Sequence, residues 1–178
     1  SAGGRVDSHQ LFIGNSADPA DVATVTIDGS GSIVNVATTT YVGTSSPGTL
    51  IVSNGGTLNT GTDGASVFSI DQDFGSVGGS IVNIDGAGSV LNHLGASGIA
   101  VGRSTSASAA TPARLSVTGG GQVNAERLDI SLFGNSQGLV AVGGANSEIN
   151  VADEIQVATQ GMGTLIVEDG GAVTAGNK

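Results

Sequence analysis

The chain has 178 residues, 31 of them Gly, and it lacks Cys and Trp, which excludes a disulfide scaffold. Fifteen acidic residues against five Lys and Arg give a net charge of −10, which would repel a nucleic-acid backbone or an anionic membrane surface, so we expect no nucleic-acid partner. No apolar run approaches the about 20 residues that span a bilayer, so we expect no membrane insertion of this segment.

The predicted elements, taken in chain order, are short strands that recur. One strand is predicted at LFIG, residues 11–14. After it, an apolar-x-apolar pair followed by a small polar turn occurs six times, as VTIDGSGS, LIVSNGG, VNIDGAGS, LSVTGGG, VAVGGANS and LIVEDGG. The second apolar residues of these pairs are Ile27, Val52, Ile84, Val117, Val142 and Val167. Their spacings of 25, 32, 33, 25 and 25 residues indicate a 25-residue unit that is lengthened twice.

Each unit contains two further predicted strands. The second strand carries one apolar residue, at Val34, Leu58, Leu91, Val123, Ile149 and Val173. The third strand is predicted 15 residues after the first-strand residue in every unit but one, at Val42, Val67, Val101, Leu132 and Val157. No segment has a sustained helical period, and each Gly would weaken a helix by about 1 kcal/mol relative to Ala.

Three strands per unit, repeated in one direction, predict an all-β parallel β-helix or β-solenoid of about six coils of ~25 residues with three short strands each. We expect residues 1–178 to form a single domain of this kind. A hairpin meander would show the same alternation, but antiparallel neighbours would gain nothing from a fixed period.

A column of Asn follows the second-strand apolar residue in five of the six units. Its members are Asn35, Asn59, Asn92, Asn124 and Asn150, and Thr174 occupies the sixth position. Because an amide can donate and accept, identical side chains on stacked strands can bond to one another. The column predicts a structural Asn ladder, although Asn also favours turns.

The alternation of GTLIVSNGGTLNTG with GSGSIVNV and GAGSVLNHLGASGIAVG resembles the repeats of bacterial autotransporter passenger domains, which are secreted by the type V route. The resemblance covers residues 11–176. It implies export across both membranes, an extracellular or cell-surface location, and roles in adhesion, aggregation or biofilm. It also leads us to expect that the chain is a fragment of a longer repeat passenger.

Enzymes are the competing class, because parallel β-helices also carry polysaccharide lyases and pectin hydrolases that use clustered carboxylates. The close acidic pairs are Asp18 with Asp21, Asp71 with Asp73, and Asp153 with Glu154. Such pairs are typical of solvated turns. Neither His has a companion for a zinc site, and no phosphate loop, GxSxG or calcium-binding nonapeptide occurs. We expect no catalytic residue, metal or cofactor.

The leading functional prediction is a structural or adhesive segment of an exported bacterial surface protein. The alternative is a polysaccharide-acting β-helix enzyme, a lyase or a glycoside hydrolase, with its site on the corner loops. The partner would be an unknown receptor, a glycan or another copy of the chain.

The insertions predict where binding occurs. Connections from a third strand to the next first strand take 10 residues in plain units, but 14 from Ile13, 17 from Val67 and 16 from Val101. In a stack these loops share one edge, where repeat proteins often bind partners, although a surface corner also tolerates insertions that have no function. The candidate binding residues are Asp18, Asp21, Phe68, Asp71, Asp73, Phe74 and Arg103.

Overall fold

The computed structural model describes residues 3–72, 78–104 and 111–176 of the chain. These residues form nineteen β-strands and no helix. The strands belong to three parallel sheets, which we call A, B and C. Along each coil the chain contributes one strand to sheet C, then one to sheet A and then one to sheet B. The prediction of an all-β parallel β-solenoid of about six coils is therefore confirmed. The 140 residues between Ile27 and Val167 cover five coil steps, so the mean coil has about 28 residues.

The strands of each sheet pair with their equivalents in the adjacent coils. Sheet C contains β3 (Ala23–Asp28), β6 (Gly48–Ser53), β9 (Ile81–Asp85), β12 (Ala113–Thr118), β15 (Gln137–Gly143) and β18 (Met162–Glu168). Sheet A contains β1 (Arg5–Ser8), β4 (Ile33–Val36), β7 (Thr57–Thr60), β10 (Val90–His93), β13 (Gln122–Ala125), β16 (Glu148–Val151) and β19 (Ala172–Ala175). Sheet B contains β2 (Leu11–Ile13), β5 (Thr40–Val42), β8 (Phe68–Gln72), β11 (Ile99–Arg103), β14 (Leu128–Ile130) and β17 (Ile155–Val157).

The core consists of inward-facing columns in which apolar side chains stack on their equivalents. Strand alternation turns every second residue inward, and the predicted first-strand and second-strand residues fill the interior. The members of these two columns that are almost fully buried are Ile27, Leu50, Val52, Leu58, Val82, Ile84, Leu91, Leu115, Val117, Val123, Val140, Val142 and Ile149. Their burial confirms the predicted inward positions. In the last described coil the equivalent side chains are less buried, and Val167 is 47% exposed.

The third strand differs from the prediction in two coils. Parallel pairing aligns Ile13, Val42, Ile70, Val101, Ile130 and Val157 in sheet B. The predictions at Val67 and Leu132 are therefore wrong, because Val67 precedes β8 and Leu132 follows β14. The third strand does not lie at a constant distance of 15 residues from the first-strand residue, because the number of residues that connect sheet A to sheet B differs between coils.

The corners of the coils are lengthened on both sides of sheet B. The connections from sheet B to sheet C are long at three places, residues 14–22, 73–80 and 104–112. The connections from sheet A to sheet B are also long at residues 61–67 and 94–98, whereas the next coil uses only residues 126–127. The three predicted insertions therefore do share one corner, but the prediction is incomplete, because it omits the lengthened connections from sheet A to sheet B. The two coils that contain β8 and β11 are widened at both corners.

In each described coil the residue that follows the aligned inward residue of sheet B has a positive φ. These residues are Gly14, Gly43, Asp71, Gly102, Ser131 and Ala158, with φ between 58° and 82°. A Cβ disfavours this conformation by about 1–2 kcal/mol, which explains why Gly is common in the column. At Gly102 a close approach adds to this preference, because a Cβ would lie 2.5 Å from the carbonyl oxygen of Gln137. The repeated bend keeps the coils in register at this corner.

Asn side chains form a continuous ladder of hydrogen bonds along the outer face of sheet A. Each amide Nδ2 donates to the Oδ1 of the preceding coil over 2.8–3.2 Å, in the pairs Asn59 to Asn35, Asn92 to Asn59, Asn124 to Asn92, and Asn150 to Asn124. The Thr174 hydroxyl donates to Asn150 over 3.0 Å. The ladder therefore has one donor direction along the solenoid.

The ladder begins on a strand that the sequence does not predict. Strand β1 has one apolar residue, Val6, so it lacks an alternating pattern, but it pairs in register with β4. This register sets Asp7 beside Asn35, whose Nδ2 donates to Asp7 Oδ1 over 2.7 Å. Hydrogen bonds from Arg5 and then Asn35 lower the pKa of Asp7, because they favour its charged form. An ionised carboxylate therefore accepts the first bond of the ladder.

Candidate functional site

The outer face of sheet B contains a depression. Strand alternation turns Phe12, Tyr41, Ser69, Ala100, Asp129 and Gln156 away from the core. The two central positions, Ser69 and Ala100, have small side chains, whereas Tyr41 and Asp129 on either side are larger. Since parallel strands lie about 4.8 Å apart, Tyr41 and Asp129 are separated along the solenoid by about 14 Å. Ala100 forms the floor of a groove between the two larger residues, and Ser69 is fully buried beneath it.

Residues on both sides of sheet B supply the walls of this groove. Ala65, Val67 and Ser97 line it from the side of sheet A, and Arg103 and Leu132 line it from the side of sheet C. The open groove has a volume of about 350 Å³. We call this region the sheet B groove. The wall on the side of sheet A belongs to the lengthened connections 61–67 and 94–98, and the wall on the side of sheet C is formed by the end of β11 and the connection after β14.

Tyr41 forms one end of the sheet B groove. Its ring packs edge-to-face against Phe12 of the preceding coil, with ring centroids 5.5 Å apart. Such aromatic pairs stabilise one ring orientation by about 0.5–1.5 kcal/mol beyond their buried area. The ring is half-buried, so part of the phenol remains accessible as an aromatic surface and a hydroxyl group.

Arg103 is held in place on the opposite wall. The bend at Gly102 is followed by pairing of Arg103 with Gln72 of the preceding coil. Its Nη1 donates to Gln72 Oε1 over 3.3 Å, and its guanidinium carbon lies 5.9 Å from the Phe133 ring centroid. The cation–π contact and the hydrogen bond restrict a flexible side chain. The guanidinium is thus positioned before any ligand is present.

Asp129 forms the other end of the groove and is 6% exposed. Arg127 Nε donates to both of its carboxylate oxygens, over 2.9 and 3.1 Å, and Arg127 Nη1 lies 2.8 Å from Glu154 Oε1. The hydrogen bond to Asp129 raises the pKa of Arg127, so this guanidinium remains charged. The carboxylate of Asp129 is therefore fixed in orientation by an ion pair.

Two buried polar atoms near the groove have no hydrogen-bond partner in the described part of the chain. One is the Ser69 hydroxyl on the outward side of β8, and the other is Arg103 Nε. An unpaired buried polar atom typically costs about 1–3 kcal/mol, so native proteins contain few of them. Their position beneath and beside the groove indicates a site whose polar groups are not fully satisfied by the described residues.

The residues predicted to bind are only partly brought together. Arg103 lines the sheet B groove. Asp18 and Asp21 lie two coil steps from the coil of β8, in an exposed turn that is satisfied internally: Asp18 Oδ1 accepts from Ala20 N over 2.9 Å, and Asp21 Oδ2 accepts from Ser16 Oγ over 2.6 Å. Asp73 and Phe74 are outside the described residues.

Phe68 and Asp71 do not have the predicted exposure. Phe68 is fully buried in the core, so its prediction as an apolar contact for a partner is wrong. The reason is the register of β8, which turns Phe68 and Ile70 inward. Asp71 is 2% exposed and its Oδ1 accepts a hydrogen bond from Ser80 N over 3.2 Å, which places it inside the corner.

Sequence reasoning missed Tyr41, Ser69 and Asp129. All three occupy the outward position of a third strand, and the third strand is the element whose register was hardest to predict. Composition alone could have indicated Tyr41, because it is the only Tyr in a chain that has few aromatic residues.

Two other depressions lack this combination of groups. One, of about 400 Å³, lies beside the ladder residues Asn124 and Asn150, and another, of about 280 Å³, is near Val6 and Asp28. Among the described residues, neither is lined by a Phe or Tyr ring or by a guanidinium, although His93 borders the larger one. The sheet B groove is therefore the best candidate site.

His93 is a core residue. It is 2% exposed, its Nδ1 lies 2.8 Å from Thr60 Oγ1, and Nε2 has no hydrogen-bond partner in the described ranges. Burial lowers the pKa of His93 to about 4, and the backbone of Ser66 opposes this shift without cancelling it. The described residues contain no group of three or more His, Cys, Asp and Glu placed to hold a metal ion, and no helix long and apolar enough to cross a membrane.

Comparison with protein-family models, with curated proteins and with solved structures gave no match for this chain.

Proposed function

We propose that this chain is an adhesive segment of an exported bacterial surface protein, and that it binds its receptor through the sheet B groove. The repeat pattern that resembles autotransporter passengers supports the surface location. The groove supports the adhesive role, because it is the place where the regular solenoid carries a walled site with a positioned ring, guanidinium and carboxylate.

Binding without turnover is favoured over hydrolysis. Glycoside hydrolases use two carboxyl groups on opposite sides of the scissile bond, about 5–10 Å apart. Among the described residues that line the groove, Asp129 is the only acidic one, and Arg127 holds it in an ion pair. Such a carboxylate is suited to accept hydrogen bonds from a ligand.

The proposal can be tested by displaying residues 1–178 on the surface of a non-adherent bacterium through an unrelated outer-membrane anchor. We expect cells that carry the chain to attach to host-cell layers or to each other several-fold more than cells that carry the anchor alone. Excess soluble chain should compete with this attachment, because both forms present the same groove.

The same preparation decides between adhesion and catalysis. Purified chain is incubated with neutral and acidic polysaccharides, and new reducing ends and unsaturated products are measured. Attachment equal to that of the anchor alone would contradict the adhesive function. Turnover above that of a heat-unfolded sample would favour the polysaccharide-acting enzyme.

A further inference from the structure

We infer that the sheet B groove binds a neutral saccharide of one or two pyranose rings. This inference rests on the proposed function, because it names the receptor chemistry of the same site. It is carried by the kind of surface on which the groove lies, the groups that line it, its charge balance and its size.

The groove lies on the face of a sheet and not at its edge. Strands β8, β11 and β14 are paired with one another in register, so their backbone groups are already hydrogen-bonded. An extended peptide that docks by strand addition needs unpaired backbone groups at an edge. The floor of this groove offers side chains only, which disfavours a peptide strand as the ligand.

The lining groups match the two-sided chemistry of a sugar ring. Tyr41 provides an aromatic surface for the C–H face of a ring, while Thr39 and Ser97 add hydroxyl groups on the walls. Arg103 can donate hydrogen bonds and Asp129 can accept them, so the two side chains together can bind adjacent hydroxyl groups of a sugar ring. A purely apolar ligand would leave Arg103 Nε, which has no partner among the described residues, still unpaired, which costs binding free energy.

The charges around the groove favour a neutral ligand. Arg103 and Arg127 are balanced by Asp129 and Glu154, which lie in the same part of the molecule. The whole chain has a net charge of −10, so an acidic polysaccharide would be repelled during its approach. An anionic sugar would also be placed near the carboxylate of Asp129.

The dimensions set the size of the ligand. The volume of about 350 Å³ is near the lower end for small-molecule sites. Tyr41 and Asp129 are three strands apart, about 14 Å, which accommodates two linked pyranose rings between the aromatic end and the carboxylate end. A longer glycan would extend out of the groove at its ends.

The chain contains its own reporter for this binding. Tyr41 is the only Tyr, and Trp is absent, so tyrosine fluorescence arises from a groove residue alone. The chain is titrated with maltose, cellobiose and lactose, and in parallel with digalacturonate and sialyllactose. We expect a saturable fluorescence change with at least one neutral sugar and no saturation with the acidic sugars at the same concentrations.

Groove variants identify the contacts. Arg103→Gln and Asp129→Asn should each weaken binding of that neutral sugar about tenfold, because each removes a charge-assisted hydrogen bond. Ser116→Ala changes an outward residue of sheet C and should bind like the parent. Thermal unfolding followed by circular dichroism checks that each variant is folded, and a variant that does not fold is replaced by Ala100→Leu, which fills the floor.

Each outcome is decisive. Saturation by acidic sugars only, no saturation by any sugar, or equal loss in Ser116→Ala would overturn the saccharide assignment. If displayed cells still adhere while no neutral sugar binds, the saccharide inference falls and the adhesive function stands. If neither occurs, both fall.

Discussion

At the residue scale, the stability of the solenoid depends on a buried side chain that cannot easily take up a proton. His93 lies among core residues beside Thr60, and its ring packs edge-to-face with Phe68, with centroids 6.1 Å apart. Burial lowers its pKa to about 4, compared with an ordinary value of 6.5. The folded chain therefore keeps His93 neutral at a pH where the unfolded chain protonates it.

This difference predicts a loss of stability in mild acid. The contribution of neutral His93 is fully present above about pH 6.5 and is lost as the pH falls toward 4, because only the unfolded state binds a proton in that window. Between pH 7 and pH 5 the free energy of unfolding should fall by about 2 kcal/mol from this group alone. Urea unfolding of the parent and of His93→Gln at both pH values measures this contribution.

The variant serves as its own control for the carboxylates, whose protonation is common to both proteins. The decrease between pH 7 and pH 5 should be smaller in His93→Gln than in the parent by about 2 kcal/mol. The same pH dependence in the two proteins would show that His93 is not the group that titrates.

At the scale of the strand and the sheet, the Asn ladder ties the seven strands of sheet A together. Asn92 donates to Asn59 and accepts from Asn124, over 2.9 and 2.8 Å. Each ladder bond can form only when the Asn side chains of adjacent coils lie directly above one another. The ladder therefore also selects the register of parallel pairing.

Removing one rung should therefore weaken the solenoid locally. Asn92→Ala breaks two half-buried hydrogen bonds and leaves two amides short of a partner, so we expect a loss of about 1–2 kcal/mol in the free energy of unfolding. Asn83→Ala is the matched control, because Asn83 also faces outward but lies on sheet C, outside the ladder. Chemical unfolding of both variants measures the difference, and equal losses would contradict a stabilising ladder.

Strands were predictable where one face is strictly apolar, as in sheet C, where the buried Leu50 and Val52 alternate with neighbours that are only partly buried. The third strand was less predictable. LDISL around β14 offers both Ile130 and Leu132 with the correct alternation, and only pairing with Val101 and Val157 selects Ile130. Strand β1 has no apolar alternation and is defined by its neighbour β4.

The candidate site was predictable only in part, for a related reason. Arg103 was predictable because it lies at the start of the long connection that follows Val101. Tyr41, Ser69 and Asp129 are far apart in sequence, and they become neighbours only when the register of sheet B is known. A one-residue error in a strand turns an outward residue inward, as for Phe68.

At the scale of the whole molecule, a uniform stack becomes a recognition surface by local changes in corner length. A parallel solenoid with equal coils would present a flat outer face. Here residues 61–67 and 94–98 raise a wall on one side of sheet B, and the longer connections after β8 and β11 begin on the other side. Small outward residues occur in these same coils, at Ser69 and Ala100, so the groove is a property of two adjacent coils and not of the repeat in general.

The most direct measurement compares the adhesion of two variants that make the same substitution on different faces. Ala100→Leu fills the floor of the sheet B groove, and Ala141→Leu adds the same volume to the outer face of sheet C. Attachment of cells that display Ala100→Leu should fall to the level of the anchor alone, while Ala141→Leu should attach like the parent. If Ala100→Leu is displayed, folded and fully adherent, the sheet B groove is not the binding face of this protein.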